Sequence, residues 1–169
     1  MLILFSLQRK PNDYTFIIMI SFHDLDSKDQ TGAEMYRLID QYAGDLDRIT
    51  VNGKPLSSMN MFEFFNYVKN IPYRKDIKAI EVVSRPSKII QNKNDGMDCK
   101  KKSILISSYL KNRNIPFRLI ASSKRRDKRI HHVFPQMKIN DEWVNMDATY
   151  NHYRPMRIKT LTAAQVLQR

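Results

Sequence analysis

Between Asn94 and Leu110 turn residues give way abruptly to a helix, and this junction narrows the choice of fold more than any other part of the chain. Asn94, Asp95 and Gly96 are turn formers, whereas Leu105/Tyr109 and Ile106/Leu110 recur at the i, i+4 spacing of an apolar helix face. The only cysteine of the sequence, Cys99, stands where the two meet. A thiol in a first helical turn faces unpaired backbone N–H groups and the positive end of the helix dipole, and both favour the thiolate. Cys99 is therefore a candidate nucleophile. Free cysteines more often pack as small hydrophobes, so the assignment depends on partners elsewhere in the chain.

The 169 residues suffice for a single domain with a real core and are too few for two comfortable ones. Residues 1–12 read as a mobile extension ending in Arg9-Lys10-Pro11-Asn12. Tyr14 to Phe22 is apolar after two basic residues, as in a signal peptide. His23-Asp24-Leu25-Asp26 follows it in place of a small-residue cleavage site, so Phe16–Ile20 reads as a buried strand. Thr31 and Glu34 have capping-box spacing, Met35, Leu38, Ile39 and Tyr42 share one face, and Gly44 is a C-cap candidate. Ile49-Thr50-Val51 before Asn52-Gly53 predicts a short strand entering a tight turn. Met61 to Val68 is apolar almost all round, which predicts a buried helix, and Pro72 disfavours helical angles at Ile71, ending it near Asn70. Tyr73 to Asn94 reads as a wrapped connector with a turn at Pro86. Ile115-Pro116 stops the cysteine helix near Asn112–Asn114. Phe117–Ala121, His132–Ile139 and Trp143–Asp147 read as strands, with Ser122–Arg129 a solvated loop.

Charge sharpens the picture around the cysteine. Residues 85–131 carry fourteen Lys and Arg against three Asp and Glu, which is nearly all of the chain's excess of +12. Such a field attracts anionic partners, here an acidic protein or nucleic acid, although a solvated basic face also serves solubility. One cysteine excludes an internal disulfide. No apolar run reaches the ~18–20 residues of a membrane span, so the expected compartment is the cytoplasm, or a virion if the chain is phage-encoded. Four scattered histidines and one cysteine offer no zinc spacing, and no phosphate loop is present, so neither a metal nor a cofactor is expected.

The last two strands supply the partners. With Asn140 and Asp141 as a two-residue turn, Lys138 lies opposite Trp143, Gln136 opposite Asn145 and Phe134 opposite Asp147. His132 shares the face of Phe134, so it becomes a diagonal neighbour of Asp147, about 7–8 Å away at the backbone. Their side chains could meet. An imidazole oriented by a carboxylate and brought to a thiol is the arrangement for nucleophilic acyl chemistry. A three-residue turn would separate the two onto opposite faces.

Four stretches carry a resemblance to a known family: Gly96-Met97-Asp98-Cys99 opening a helix, Ile115-Pro116-Phe117-Arg118, His132-Val133-Phe134, and Trp143-Val144-Asn145-Met146-Asp147-Ala148-Thr149. Together they resemble the transglutaminase-like core of the papain-like superfamily, in the pattern of its bacterial and phage members. Ile71-Pro72-Tyr73-Arg74-Lys75-Asp76 and Arg85-Pro86-Ser87 are similar to the lead-in of those members, so the resemblance covers about residues 60–150. It implies an α+β fold in which the cysteine-bearing helix packs on an antiparallel sheet. It also implies a triad in which Cys99 attacks an amide or ester carbonyl, His132 acts as general base and then acid, and Asp147 orients the ring. His132 matches the pattern where His131 is one position out of register. The backbone N–H of Cys99 would be one oxyanion donor. Three features depart from the pattern. Lys100, Lys101 and Lys102 follow the cysteine where acidic residues are common, suggesting a substrate surface for an acidic partner. Pro135 makes the His132 strand locally an edge or bulged. Phe134 replaces a common tryptophan.

The expected function is thus cysteine-dependent acyl chemistry on an amide bond of a protein or peptide substrate, as protease, amidase or acyl transferase. The alternative is a non-catalytic structural or binding protein whose basic stretch Arg85–Arg129 holds an acidic partner or nucleic acid.

Overall fold

Each helix begins or ends where a particular residue dictates it. The computed structural model describes residues 28–75, 83–156, 159, 161 and 163–169. The extension and the strand expected before residue 28 lie outside the described residues. Helix α1 (Lys28–Tyr42) already runs through Thr31, so Thr31 and Glu34 form no capping box. Glu34 instead pairs with Arg37 one turn on, at 2.6 Å. Gly44 is not a left-handed C-cap either: its right-handed angles (φ −64°, ψ −7°) start the short α2 (Asp45–Arg48). Strands β1 (Thr50–Val51) and β2 (Lys54–Pro55) form the expected hairpin, with Asn52 and Gly53 both at positive φ.

Helix α3 (Met61–Asn70) ends before Ile71-Pro72 as expected. Its start is a true capping box, in which Asn60 Oδ1 accepts from Glu63 N and Glu63 Oε2 accepts from Asn60 N. Only one face is buried, through Phe64, Phe65 and Val68, and Phe62 is exposed to solvent. Pro86 does not mark a turn but occupies the first position of α4 (Pro86–Gln91), where a missing N–H costs nothing. Arg85 just before it holds Asp45 with its guanidinium and lies 4.1 Å from the Tyr42 ring centroid, tying α4 to α1 and α2.

Helix α5 (Cys99–Asn112) is the centre of the molecule. It packs against α1, α3 and α4 and against the sheet strands β3 (Phe117–Ser123) and β4 (His132–Ile139). Surrounded in this way, it is buried continuously from Lys102 to Leu110, and small Ser103, Ser107 and Ser108 let neighbours approach. The Phe64 and Tyr109 rings stack at 4.5 Å between α3 and α5.

The sheet is antiparallel throughout, in the order β5-β4-β3-β6, with β5 (Glu142–Asn145) and β6 (Ala163–Val166) at its edges. The architecture is therefore the expected α+β arrangement, a cysteine-bearing helix on an antiparallel sheet. Asn140 and Asp141 form the two-residue turn, both at positive φ, and Lys138↔Trp143 and Gln136↔Asn145 pair in the expected register. Pro135 departs from its reading: β4 is an interior strand, and its register with β3 runs unbroken through Leu119↔Pro135. In an antiparallel pair the N–H and C=O of one residue point to the same side. The Pro135 carbonyl accepts from Met146 N, so the missing N–H is also turned toward β5, where that ladder stops at Asn145. The loss is confined to a place without a donor to lose.

Candidate active site

The approach to Cys99 depends on one glycine. Gly96 sits at φ +80°, and a Cβ there would come within 2.7 Å of the Arg74 Cβ and 3.1 Å of the Pro72 carbonyl oxygen. This close approach lets residues 72–74 run beside 96–97, with Met97 N donating to Pro72 O and Arg74 N to Met97 O. Asp98 then caps the helix, its Oδ1 accepting from Lys101 N at 2.9 Å while Lys100 Nζ pairs with Oδ2 at 2.6 Å. Cys99 follows as the first helical residue, buried.

The thiol is not as easily ionised as the helix start alone suggested. Burial pushes it up, the Asp98 carboxylate adds to this, and the Val133 N–H, Lys100 and the Cys99 N–H act in the other direction without prevailing. The Val133 amide, on the residue directly after His132, faces the sulfur. Ser103 Oγ donates to the Val133 carbonyl at 3.1 Å and pins α5 to this point of β4.

His132 and Asp147 meet as the hairpin register implied. His132 Nε2 lies 2.7 Å from Asp147 Oδ2. Asp147 is buried, and its other oxygen accepts from Thr149 N at 2.9 Å. With Nε2 committed to the carboxylate, Nδ1 is the ring nitrogen left to act as a base. His131 lies outside this arrangement: it is exposed, with Nδ1 3.1 Å from Arg129 O. Phe134 stacks on the His132 ring at 5.7 Å, the place of the common tryptophan. Burial, and after it the charges of Lys159 and Lys124, pull the His132 pKa down to about 3. The imidazole is neutral at physiological pH.

Two lysines at the site escaped the sequence reading. Lys102 is buried at 1% exposure and does not join a substrate surface. Its Nζ donates to the carbonyls of Lys69 (3.1 Å), Ile71 (2.6 Å) and Thr149 (3.2 Å). It thereby satisfies carbonyls at the end of α3 and fastens the Asp147 segment to the cysteine helix, with burial drawing its pKa down to about 8. Lys159 is equally hidden and contacts the same Asp147 oxygen as His132. No periodicity marks either residue: one sits in a run of three lysines, the other in a stretch without a motif.

Aromatic side chains border the thiol. Tyr73 and Tyr150, both partly exposed, lie 5.0 Å apart, and each senses a charge on Cys99. Burial and the neighbouring Cys99 push the Tyr73 hydroxyl up to about 12. Beyond them Tyr150, His152 and Tyr153 pack ring on ring, and Lys124 Nζ lies 5.7 Å from the Tyr153 ring centroid. Lys124 opens the exposed basic loop that runs to Arg129. Among the described residues no group of three or more His, Cys, Asp or Glu side chains is placed to hold a metal, and no helix is long and apolar enough to cross a membrane.

Two solved structures are similar to the chain. One is a "Putative Cysteine Protease" from Cytophaga hutchinsonii, 12% identical with a TM-score of 0.44, the match covering 80% of this chain and 51% of that one. The other is a "putative protease" from Parabacteroides distasonis, 11% identical with a TM-score of 0.42, covering 69% and 26% respectively. The chain thus spans about half the length of the first and about a quarter of the second. No curated protein matches it significantly. Residues 46–148, more than half of the sequence, match the family model of the transglutaminase-like superfamily, and to that superfamily the chain belongs.

Proposed function

We propose that the chain carries out cysteine-dependent acyl chemistry on an amide bond of a protein or peptide, with Cys99, His132 and Asp147 as its triad. The observation that carries this reading is the 2.7 Å contact between His132 Nε2 and Asp147 Oδ2, on the strand whose next amide faces the Cys99 sulfur. The thiol proton passes to His132 Nδ1 as sulfur attacks the carbonyl carbon, the backbone N–H of Cys99 stabilises the oxyanion, and the imidazolium protonates the leaving amine. Water or a second amine then releases the acyl group, giving hydrolysis or transfer. With the thiol raised and the imidazole neutral, the proton rests on sulfur, and its transfer accompanies attack on the carbonyl.

Product analysis by mass spectrometry on a peptide library, with and without added amine, tests the reading. Cleavage or amine incorporation that disappears in Cys99→Ala and His132→Ala supports it. Full activity in Cys99→Ala overturns it. A second reading, a non-catalytic binding protein, draws on the burial that raises the thiol, together with the exposed loop Lys124–Arg129. It predicts binding to nucleic acid or an acidic protein that weakens steeply with salt and is lost when Lys124, Arg125, Arg126, Lys128 and Arg129 are neutralised.

A further inference from the structure

Among the described residues, Asp147 Oδ2 has two cationic or hydrogen-bonding side-chain partners. His132 Nε2 approaches it from β4, and Lys159 Nζ from the connection that leads to β6. The lysine side chain is 2% exposed and the carboxylate 3%, so the ion pair is formed away from water. Lys159 Nζ also lies 4.0 Å from the centroid of Phe134, the ring stacked on His132, and 4.8 Å from that of Tyr153. A buried ammonium between two aromatic faces and a carboxylate is held in one place. When protonated it is a positive charge beside the imidazole.

We propose that Lys159 is a positioning residue of this site: its ammonium pairs with Asp147 and adds to the burial that disfavours a charge on the His132 ring. A carboxylate alone beside a histidine favours the imidazolium, by one to three units of pKa at contact distance. Here the cation cancels that attraction. Among the described residues, three further groups face the pair. Lys124 comes from the end of β3 and opposes the imidazolium as Lys159 does, Cys99 comes from α5 and would attract the ammonium when ionised, and the Tyr153 ring lies against the ammonium. Burial and then Lys124 draw Lys159 itself down to about 7, with Cys99 acting the other way. The coupling is reciprocal, so a change in the charge of one group must appear at the other.

The catalytic consequence rests on the triad proposed above, but the test needs no substrate. In the wild-type protein, the imidazole resonances of His132 and the 13Cε resonance of Lys159, followed by NMR from about pH 3 to 9, should show a common shift with a midpoint near 7. In Lys159→Met the His132 ring should take up its proton about two units higher than in the wild type, and Lys159→Arg should restore the wild-type value. Lys159→Gln, which keeps a donor for Asp147 without the charge, serves if the methionine variant does not fold, and should titrate as expected for methionine. Lys159 titrating while His132 stays flat, or neutral variants in which His132 titrates as in the wild type, would overturn the proposal. Lost peptide chemistry with these couplings intact would count against the triad alone.

Discussion

A histidine held neutral by the fold makes stability depend on pH in a window where few other groups change. His132 is pulled down to about 3, chiefly by burial, against an ordinary value of 6.5. Between these values the unfolded chain binds a proton that the native state refuses, so stability falls as pH falls. From pH 6.5 to 4.5 the loss is about 2.3 kcal/mol, taking 1.36 kcal/mol per unit and allowing for partial protonation at the upper end. Asp40, hydrogen-bonded by Arg169, and Asp45, where Arg85 and Ser87 outweigh burial, are held below the usual carboxylate range. Their stabilisation is lost only at lower pH, and the window belongs mainly to His132. With a urea m-value of about 2 kcal/mol/M, the unfolding midpoint should drop by about 1.2 M across it. The decisive comparison is equilibrium urea unfolding of the wild type, His132→Gln and His131→Gln at pH 6.5, 5.5 and 4.5. The drop should vanish in His132→Gln and persist in His131→Gln. A flat wild-type midpoint, or an undiminished drop in His132→Gln, would refute the buried neutral imidazole.

Lys102→Met removes the donor to three carbonyls and should cost about 3 kcal/mol in urea unfolding. Gly96→Ala forces a side chain into left-handed backbone against Arg74 and should cost about 2 kcal/mol. Thermal melting would register that as a fall of roughly 6 °C. Asp98→Asn keeps the helix cap but removes a charge that raises the thiol, so iodoacetamide alkylation of Cys99 at pH 7 should accelerate by roughly threefold to tenfold.

Local rules revealed the parts of the site that are local. The two-residue Asn140-Asp141 turn set the register of the last hairpin, and through it the meeting of His132 with Asp147. Ile71-Pro72 and the breakers before Cys99 ended α3 and started α5 in the same way. What stayed hidden depends on neighbours distant in sequence. Gly44 and Pro86 are helix breakers by type, yet each opens a short helix, tied together by the Arg85 grip on Asp45. Lys102 reads as one more solvated cation, and only the carbonyls converging from α3 and Thr149 make its burial tolerable. The helix dipole argued for an easy thiolate, but the packing of β4 over Cys99 removes water from the sulfur and reverses the balance.

Strands β5 and β6 lie at opposite edges of the sheet, so the segment joining them must cross two intervening strands, ~14 Å in all. This gives the site an order of assembly. The β4–β5 hairpin closes over two residues and can form in microseconds, bringing His132 to Asp147 while both are still in water. Lys159 arrives only when β6 pairs with β3, a contact between residues some forty positions apart. Pulse-labelled hydrogen exchange should accordingly find β4 and β5 amides protected before those of β6. Protection of β4 and β5 first would mean that the imidazole–carboxylate pair forms before Lys159 joins it, and simultaneous protection of all four strands would refute that order.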